Sequence, residues 1–240
     1  ICPAVPPEIM LLPGNFIYQM SSWSRAIVIP LSILHSSQAA RPAPRGFTLQ
    51  ELYRPDLPLA YHRDPKLLTW RNLFLGLDRL LKWWERHGSR RLRRKAIERA
   101  LEWSLGHTRF SAGLGAIYPP MMYLLMALDL LGYPPDHPAR EEAQKQFDAL
   151  MVDDGQRLYF QPCYSPIWDT AIAMWALGIS GQAPAIVMRR AADWMLSKEV
   201  RRRGDWTIKR PNLEPSGWYF EFANEFYPDI DDTALVLLGL

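Results

Sequence analysis

Apolar residues recur with the period of an α-helix along nearly the whole chain, and prolines break that period into helix-length pieces. Trp23, Ile27, Leu31 and Leu34 fall at i, i+4, i+8 and i+11, on one side of a helix. Leu73, Leu77, Leu80, Leu81 and Trp84 repeat the pattern, as do Ile97, Leu101, Ser104 and Leu105. Met121, Leu124, Leu125, Leu128 and Leu131 follow, opened by Pro119-Pro120, whose missing N–H groups cost nothing in a first turn. Ala139, Ala143, Phe147 and Leu150 form a fifth stripe. Ser165-Pro166 reads as N-cap and N1 of a helix running to about Leu177, and Val187, Ala191 and Trp194 mark a seventh. No two neighbouring segments alternate as paired strands, so the chain is predicted to be all-α.

The connectors add to this picture. The segment 41–65, with Pro42, Pro44, Pro55, Pro58 and Pro65, is the longest irregular stretch and is expected to wrap the surface or join two units. Helices alternating with turns suggest stacked antiparallel pairs, as in a helical barrel or solenoid. A soft boundary falls near Asp153-Asp154-Gly155, which reads as a turn. Trp103 and Trp194 stand near helix ends, where stacking can close a terminus.

Composition excludes several classes. Hydrophobic residues make up 48% and charged residues 22%, as in a packed globular protein, and ten Trp imply broad buried aromatic surfaces. A net charge of +3 gives no general nucleic-acid signature. Cys2 and Cys163 are too few for a disulfide framework or a thiolate metal cluster, and a reducing compartment is expected. The five histidines are not spaced as a metal pair on one helix face. There is no Gly-rich phosphate loop and no Gly-x-Ser-x-Gly elbow. Ala26–Leu34 and Pro119–Leu131 are the longest apolar stretches, and both fall short of the ~20 residues a spanning helix needs. The opening residues lack the basic start and apolar core of a signal peptide, and an apolar run from Thr233 to Leu240 has no stop signal, so the chain is expected to be cut from something longer. Arg86, Arg90, Arg91, Arg93, Arg94 and Lys95 read as a solvated helix start or as a contact for anionic lipid headgroups.

Chemistry concentrates in residues 217–234, Gly217-Trp-Tyr-Phe-Glu-Phe-Ala-Asn-Glu-Phe-Tyr-Pro-Asp-Ile-Asp-Asp-Thr-Ala234, where six aromatics lead into Asp229, Asp231 and Asp232 at the start of an apolar helix. As N-terminal helix acids, the three carboxylates would each gain roughly 0.3–1 kcal/mol from the macrodipole. A solvated cap does not need a wall of rings beside it, and the alternative is chemical. Three carboxyls this close cannot all ionise cheaply, so one keeps its proton near neutrality while its neighbours and the helix N-terminus stabilise the anion left after transfer. Such an acid suits protonation of an unactivated alkene, and aromatic faces would stabilise the resulting carbocation without capturing it. Leu235 stands where a D-D-x-x-D magnesium site would need its last acid, which favours proton-initiated, metal-free chemistry.

At Asp229-Ile-Asp231-Asp232-Thr-Ala the sequence resembles the D-x-D-D-T-A proton-donor motif of squalene-hopene cyclases, the bacterial triterpene cyclases. Pro6-Pro-Glu-Ile-Met10, Trp23-Ser-Arg25, Glu51-Leu-Tyr53, Pro119-Pro120, Ser165-Pro-Ile-Trp-Asp-Thr170 and Gly204-Asp-Trp-Thr-Ile-Lys-Arg-Pro-Asn-Leu213 resemble family segments in the same order. Trp194 to Trp206 is similar to the family's Gln-Trp repeat, with Glu199 where Gln is usual, whereas Phe110 to Gly115 lacks the Trp expected at the end of a full repeat.

The resemblance implies α/α barrels of the class II terpene cyclase type. Residues 1–155 would be the later part of an inserted second barrel, and 156–240 the start of a truncated catalytic barrel. It implies Asp231 as proton donor to squalene with Asp229 and Asp232 supporting it, Trp168 and Phe220 as cation-stabilising aromatics, Trp23 as an aromatic that folds the substrate, and Ile117 as a pocket residue. Core packing at helical spacing is the alternative for Trp23 and Trp168. It further implies hopene or hopanol as product, no metal or other cofactor, and no nucleic acid. A monotopic seat on the cytoplasmic face of a bacterial membrane is implied too, with room for a homodimer. Two other readings stay open: a related cyclase of a diterpenoid diphosphate, and a helical-barrel fragment without activity. The family's later half, with its partner His, is absent, and the fragment alone is not expected to turn over.

Overall fold

A computed structural model describes residues 3–37, 44–48, 50–54, 56 and 62–240. Cys2 and, in the proline-rich connector, Pro42, Pro55 and Pro58 lie outside the described residues. The helices are α1 (Ser22–Ser37), α2 (Trp70–His87), α3 (Arg90–Gly106), α4 (Tyr118–Leu130), α5 (Pro138–Asp148), α6 (Pro166–Ser180), α7 (Ala185–Ser197) and α8 (Ile230–Gly239). The all-α expectation meets one small exception. Strands β1 (Met151–Asp153) and β2 (Leu158–Phe160) pair antiparallel around Asp154-Gly155, with Met151 opposite Phe160. The Asp154 side chain accepts from the N–H groups of Gln156 and Arg157 at 2.9 and 2.7 Å, which tightens that turn.

Two apolar cores organise the chain. In the first, α1 packs on α3 and α4, and α4 on α5, around Ile29, Ile33, Leu114, Leu124 and Leu128. In the second, α6 packs on α7 and α8 around Ile167, Ala171, Met195 and Val236. The side of α1 that is buried carries Arg25, Ala26, Ile29, Pro30, Ser32 and Ile33. The predicted stripe Trp23–Ile27–Leu31–Leu34 is offset from it and only half-buried. Small side chains explain the offset, because Ala26 brings α1 within 3.0 Å of where a Cβ on Gly115 would stand.

Helix α2 leaves much of its apolar stripe exposed. Asp78 and Glu85 point inward and accept from the backbone N–H groups of Ala4 and Val5 at 2.8 and 3.1 Å. Trp70, Leu73, Phe74, Leu77, Leu80 and Trp83 are exposed, and no residue of the helix is buried. Of the basic run that follows, Arg93 is engaged by Glu8 at 3.1 Å and by the carbonyls of Trp84 and Glu85. Arg90, Arg91 and Arg94 are exposed. No helix among the described residues is long and apolar enough to cross a membrane.

Candidate active site

The acidic segment is the closing arm of a loop that begins at Gly217. Asp229 N–H donates to the Trp218 carbonyl at 3.1 Å, and Trp218 N–H donates to Thr233 Oγ1 at 3.0 Å, so the loop leaves and returns at one place. The Trp218 indole N–H donates to the Met195 carbonyl at 2.7 Å, fixing the ring against the end of α7. Gly217 has φ +108°, and a Cβ there would stand 2.9 Å from Thr233 Oγ1, so both the backbone and the space require glycine. Trp218, Tyr219 and Tyr227 are buried, and the burial of Tyr219 together with the nearby Glu225 and Glu221 carboxyls pushes its hydroxyl up to about 12.

The three aspartates take three different positions. Asp229 is the N-cap of α8, and its Oδ1 accepts from Asp232 N–H at 2.8 Å. Asp231 is exposed in the first turn. Asp232 is 2% exposed, and its Oδ1 has no hydrogen-bond partner. Burial first, then the Asp229 and Asp231 carboxyls, push Asp232 up to about 7. The cap reading describes Asp229, whereas the carboxyl that burial and its neighbours raise is Asp232; Asp231, the expected donor, is exposed beside them.

Sequence reasoning missed a fourth carboxyl. Glu221 is 1% exposed, and burial, with added repulsion from Asp232 and Asp229, pushes it up to about 8. One oxygen accepts from Asn224 Nδ2 at 3.1 Å, while Glu221 Oε1 and Asn224 Oδ1 are buried without partners. The available signal was a lone carboxylate flanked by Phe220 and Phe222 in an aromatic run, where an acid has little access to water. Burial, Glu221 and Asp169 together also raise the Cys163 thiol.

The predicted aromatics are partly brought together. Trp168, in the first turn of α6, and Phe220 lie 6.0 Å apart between ring centroids at 45°. Ser165 is the N-cap residue of α6 as expected, but its hydroxyl bonds the Asp169 carboxylate at 2.8 Å and not a backbone N–H. Ile117 is the N-cap of α4 and forms an antiparallel bridge with Cys163. Trp23 is half-buried in the first turn of α1, two residues before Arg25. A groove of about 580 Å³ beside α8 is lined by Trp206, Leu213, Asp229, Ile230, Thr233 and Leu237, among others. Among the described residues, no group of three His, Cys, Asp or Glu side chains is disposed to hold a metal ion.

Comparisons with known proteins give the chain's kin. A family model described as the squalene-hopene cyclase N-terminal domain matches residues 1–156, and one described as the C-terminal domain matches residues 164–240. The chain is 37% identical to a squalene–hopene cyclase of Zymomonas mobilis and 39% identical to one of Alicyclobacillus acidocaldarius, over 99% of its own length in each case. It is 32% identical, again over 99% of its length, to a dammaradiene synthase of Dryopteris crassirhizoma. The chain spans 38% of the length of the two bacterial relatives and 36% of the fern protein.

Proposed function

The chain belongs to the squalene-hopene cyclase family, and we propose that it is the central part of an enzyme that starts cationic polycyclisation of squalene by protonating a terminal double bond. Asp231 is the donor: its O–H bond breaks as a C–H bond forms on the alkene, and the carbocation passes along the chain as rings close. Loss of a proton from the last cation gives hopene, and capture of water gives hopanol. The observation that carries this reading is the division of labour among the aspartates, with Asp231 exposed beside a buried Asp232 whose carboxyl is pushed up to about 7. Asp229 and Asp232 support the donor from either side in sequence, and the N-terminus of α8 stabilises the anion it leaves. Trp168 and Phe220 present ring faces to the growing cation, Trp23 helps fold the substrate, and Ile117 shapes its pocket.

In this reading, residues 1–155 are the later part of an inserted second barrel and 156–240 begin the catalytic barrel. The rest of the enzyme supplies the remaining walls, so the fragment alone is not expected to turn over. Membrane attachment on the cytoplasmic face is part of the same proposal, because the substrate is a hydrocarbon dissolved in the bilayer. The outward stripe of α2 from Trp70 to Trp83 supports a monotopic seat in one leaflet.

The test is Asp231→Asn in the full-length enzyme, assayed with squalene alongside circular dichroism. The expected result is loss of cyclised product with the helical signal unchanged. Cyclisation retained at the wild-type rate would refute the assignment of Asp231 as donor.

A further inference from the structure

Away from the carboxyls, three buried charged or polar side chains meet at a junction between the two cores. Asp205 is 7% exposed, and one oxygen accepts from Arg25 Nη2 at 3.0 Å while the other faces His107 Nε2 at 2.8 Å. Arg25 also donates to the Met20 carbonyl at 2.6 Å and lies 4.9 Å above the Tyr18 ring. His107 Nδ1 faces the Trp103 carbonyl at 2.7 Å. Both ring nitrogens therefore face acceptors, and the ring is oriented from two sides. Its faces are filled as well, by Trp103 at 3.8 Å and Phe226 at 4.5 Å between centroids.

The cluster leads directly to the acidic segment. Phe226 stands three residues before Asp229, and Tyr227 between them is also stacked on His107, at 6.2 Å. Gly204, next to Asp205, touches the same loop through its backbone: a Cβ there would stand 2.9 Å from the Phe226 carbonyl oxygen and 3.1 Å from that of Glu225. On the other side, Ala112 N–H donates to the Ala223 carbonyl at 2.8 Å, and Glu225 N–H to the Phe110 carbonyl at 3.3 Å. Burial of an ion cluster is a poor source of stability, since apolar replacements of similar volume are often as stable or more so. What the cluster supplies is fixed geometry.

We propose that Asp205, clamped between Arg25 and His107, is a positioning residue that sets where the Phe226–Asp232 loop presents its acid to the substrate. The proposal rests on the reading of Asp231 as proton donor. Displacement of a reacting group by about 1 Å can cost on the order of 100-fold in rate. Such a displacement should be felt most by the substrate that is hardest to protonate. An alkene carbon is a very weak base, whereas the oxygen of an epoxide is more basic and its protonation releases ring strain. A loosened cavity wall would slow both substrates alike; a misplaced acid would slow the alkene selectively.

The experiment compares full-length wild type and Asp205→Asn on squalene and on its terminal epoxide, with the melting temperature of each protein recorded. The expected result is a fall of about 100-fold in kcat for squalene and of less than about 10-fold for the epoxide, with KM for each substrate little changed. Equal falls for both substrates, or no fall for either, would overturn the proposal. If Asp205→Asn does not fold, His107→Gln, which keeps a donor toward Asp205, is expected to show the same selectivity with smaller factors, and equal factors there would overturn it. A wild-type enzyme inert toward squalene would overturn the proposed function itself, which separates the two failures.

Discussion

Replacing Glu221 by Gln removes a titration and little else. Gln keeps an acceptor for Asn224 Nδ2 and adds a donor in a place where Glu221 Oε1 and Asn224 Oδ1 are buried without partners. Below about pH 4 the two proteins should be nearly equal in stability. Between about pH 4.5 and about 8 the folded wild type holds a proton on Glu221 that the unfolded chain releases. Unfolding then releases a proton, so wild-type stability falls as pH rises through this window, by about 1.4 kcal/mol per pH unit for one group. The Gln variant lacks that slope, while both proteins keep the contribution of Asp232, which runs to about 7. The variant should therefore gain on wild type as pH rises, with an upper bound of about 4–5 kcal/mol at about pH 8.5. Urea unfolding of the full-length enzyme, followed by tryptophan fluorescence between about pH 4 and 9, measures the difference. Parallel curves across the whole range would refute the claim that Glu221 is held protonated in the fold.

Two further outcomes are expected. Gly217→Ala should destabilise the enzyme by about 2 kcal/mol or more, because φ +108° and the 2.9 Å approach to Thr233 Oγ1 both oppose a side chain; an unchanged unfolding midpoint would argue against this loop geometry. Replacing Leu73, Leu77 and Leu80 together by Asp should abolish co-sedimentation with phospholipid vesicles while leaving the helical dichroism intact, and undiminished sedimentation would remove α2 from the membrane contact.

Helix existence is legible because the apolar period of 3.6 needs nothing beyond local sequence, and α4 and α6 begin where their prolines place them. Which medium a stripe faces is not local. The period of Leu73, Leu77 and Leu80 is the same whether those residues meet a core or the outside, and here they are exposed. The hairpin's turn is legible at Asp153-Asp154-Gly155, but its strands leave no signal because three residues are too short to show alternation. In the site, the three aspartates can be read because they are neighbours in sequence. Asp205 and His107 are 98 residues apart, and Asp205 and Arg25 are 180 apart, so no local pattern joins them. Asp232 and Asp231 likewise differ in burial although adjacent, because a helix turns by about 100° per residue and presents them to different sides.

The pairing of residues 110–112 with 223–225 runs through peptide groups, including the Ser111–Asn224 bridge, and not through side chains. Peptide groups are the same at every position, so the pairing itself leaves the identities of Ser111, Ala112 and Ala223 open to drift, whereas Asn224 is held by its burial and its bond to Glu221. Chain length is not open to drift. One residue inserted or deleted between Gly217 and Asp229 would move every later carbonyl and N–H out of step with the facing segment. Relatives can therefore be expected to keep the length of this stretch even where its side chains differ, and alignment gaps should fall outside it.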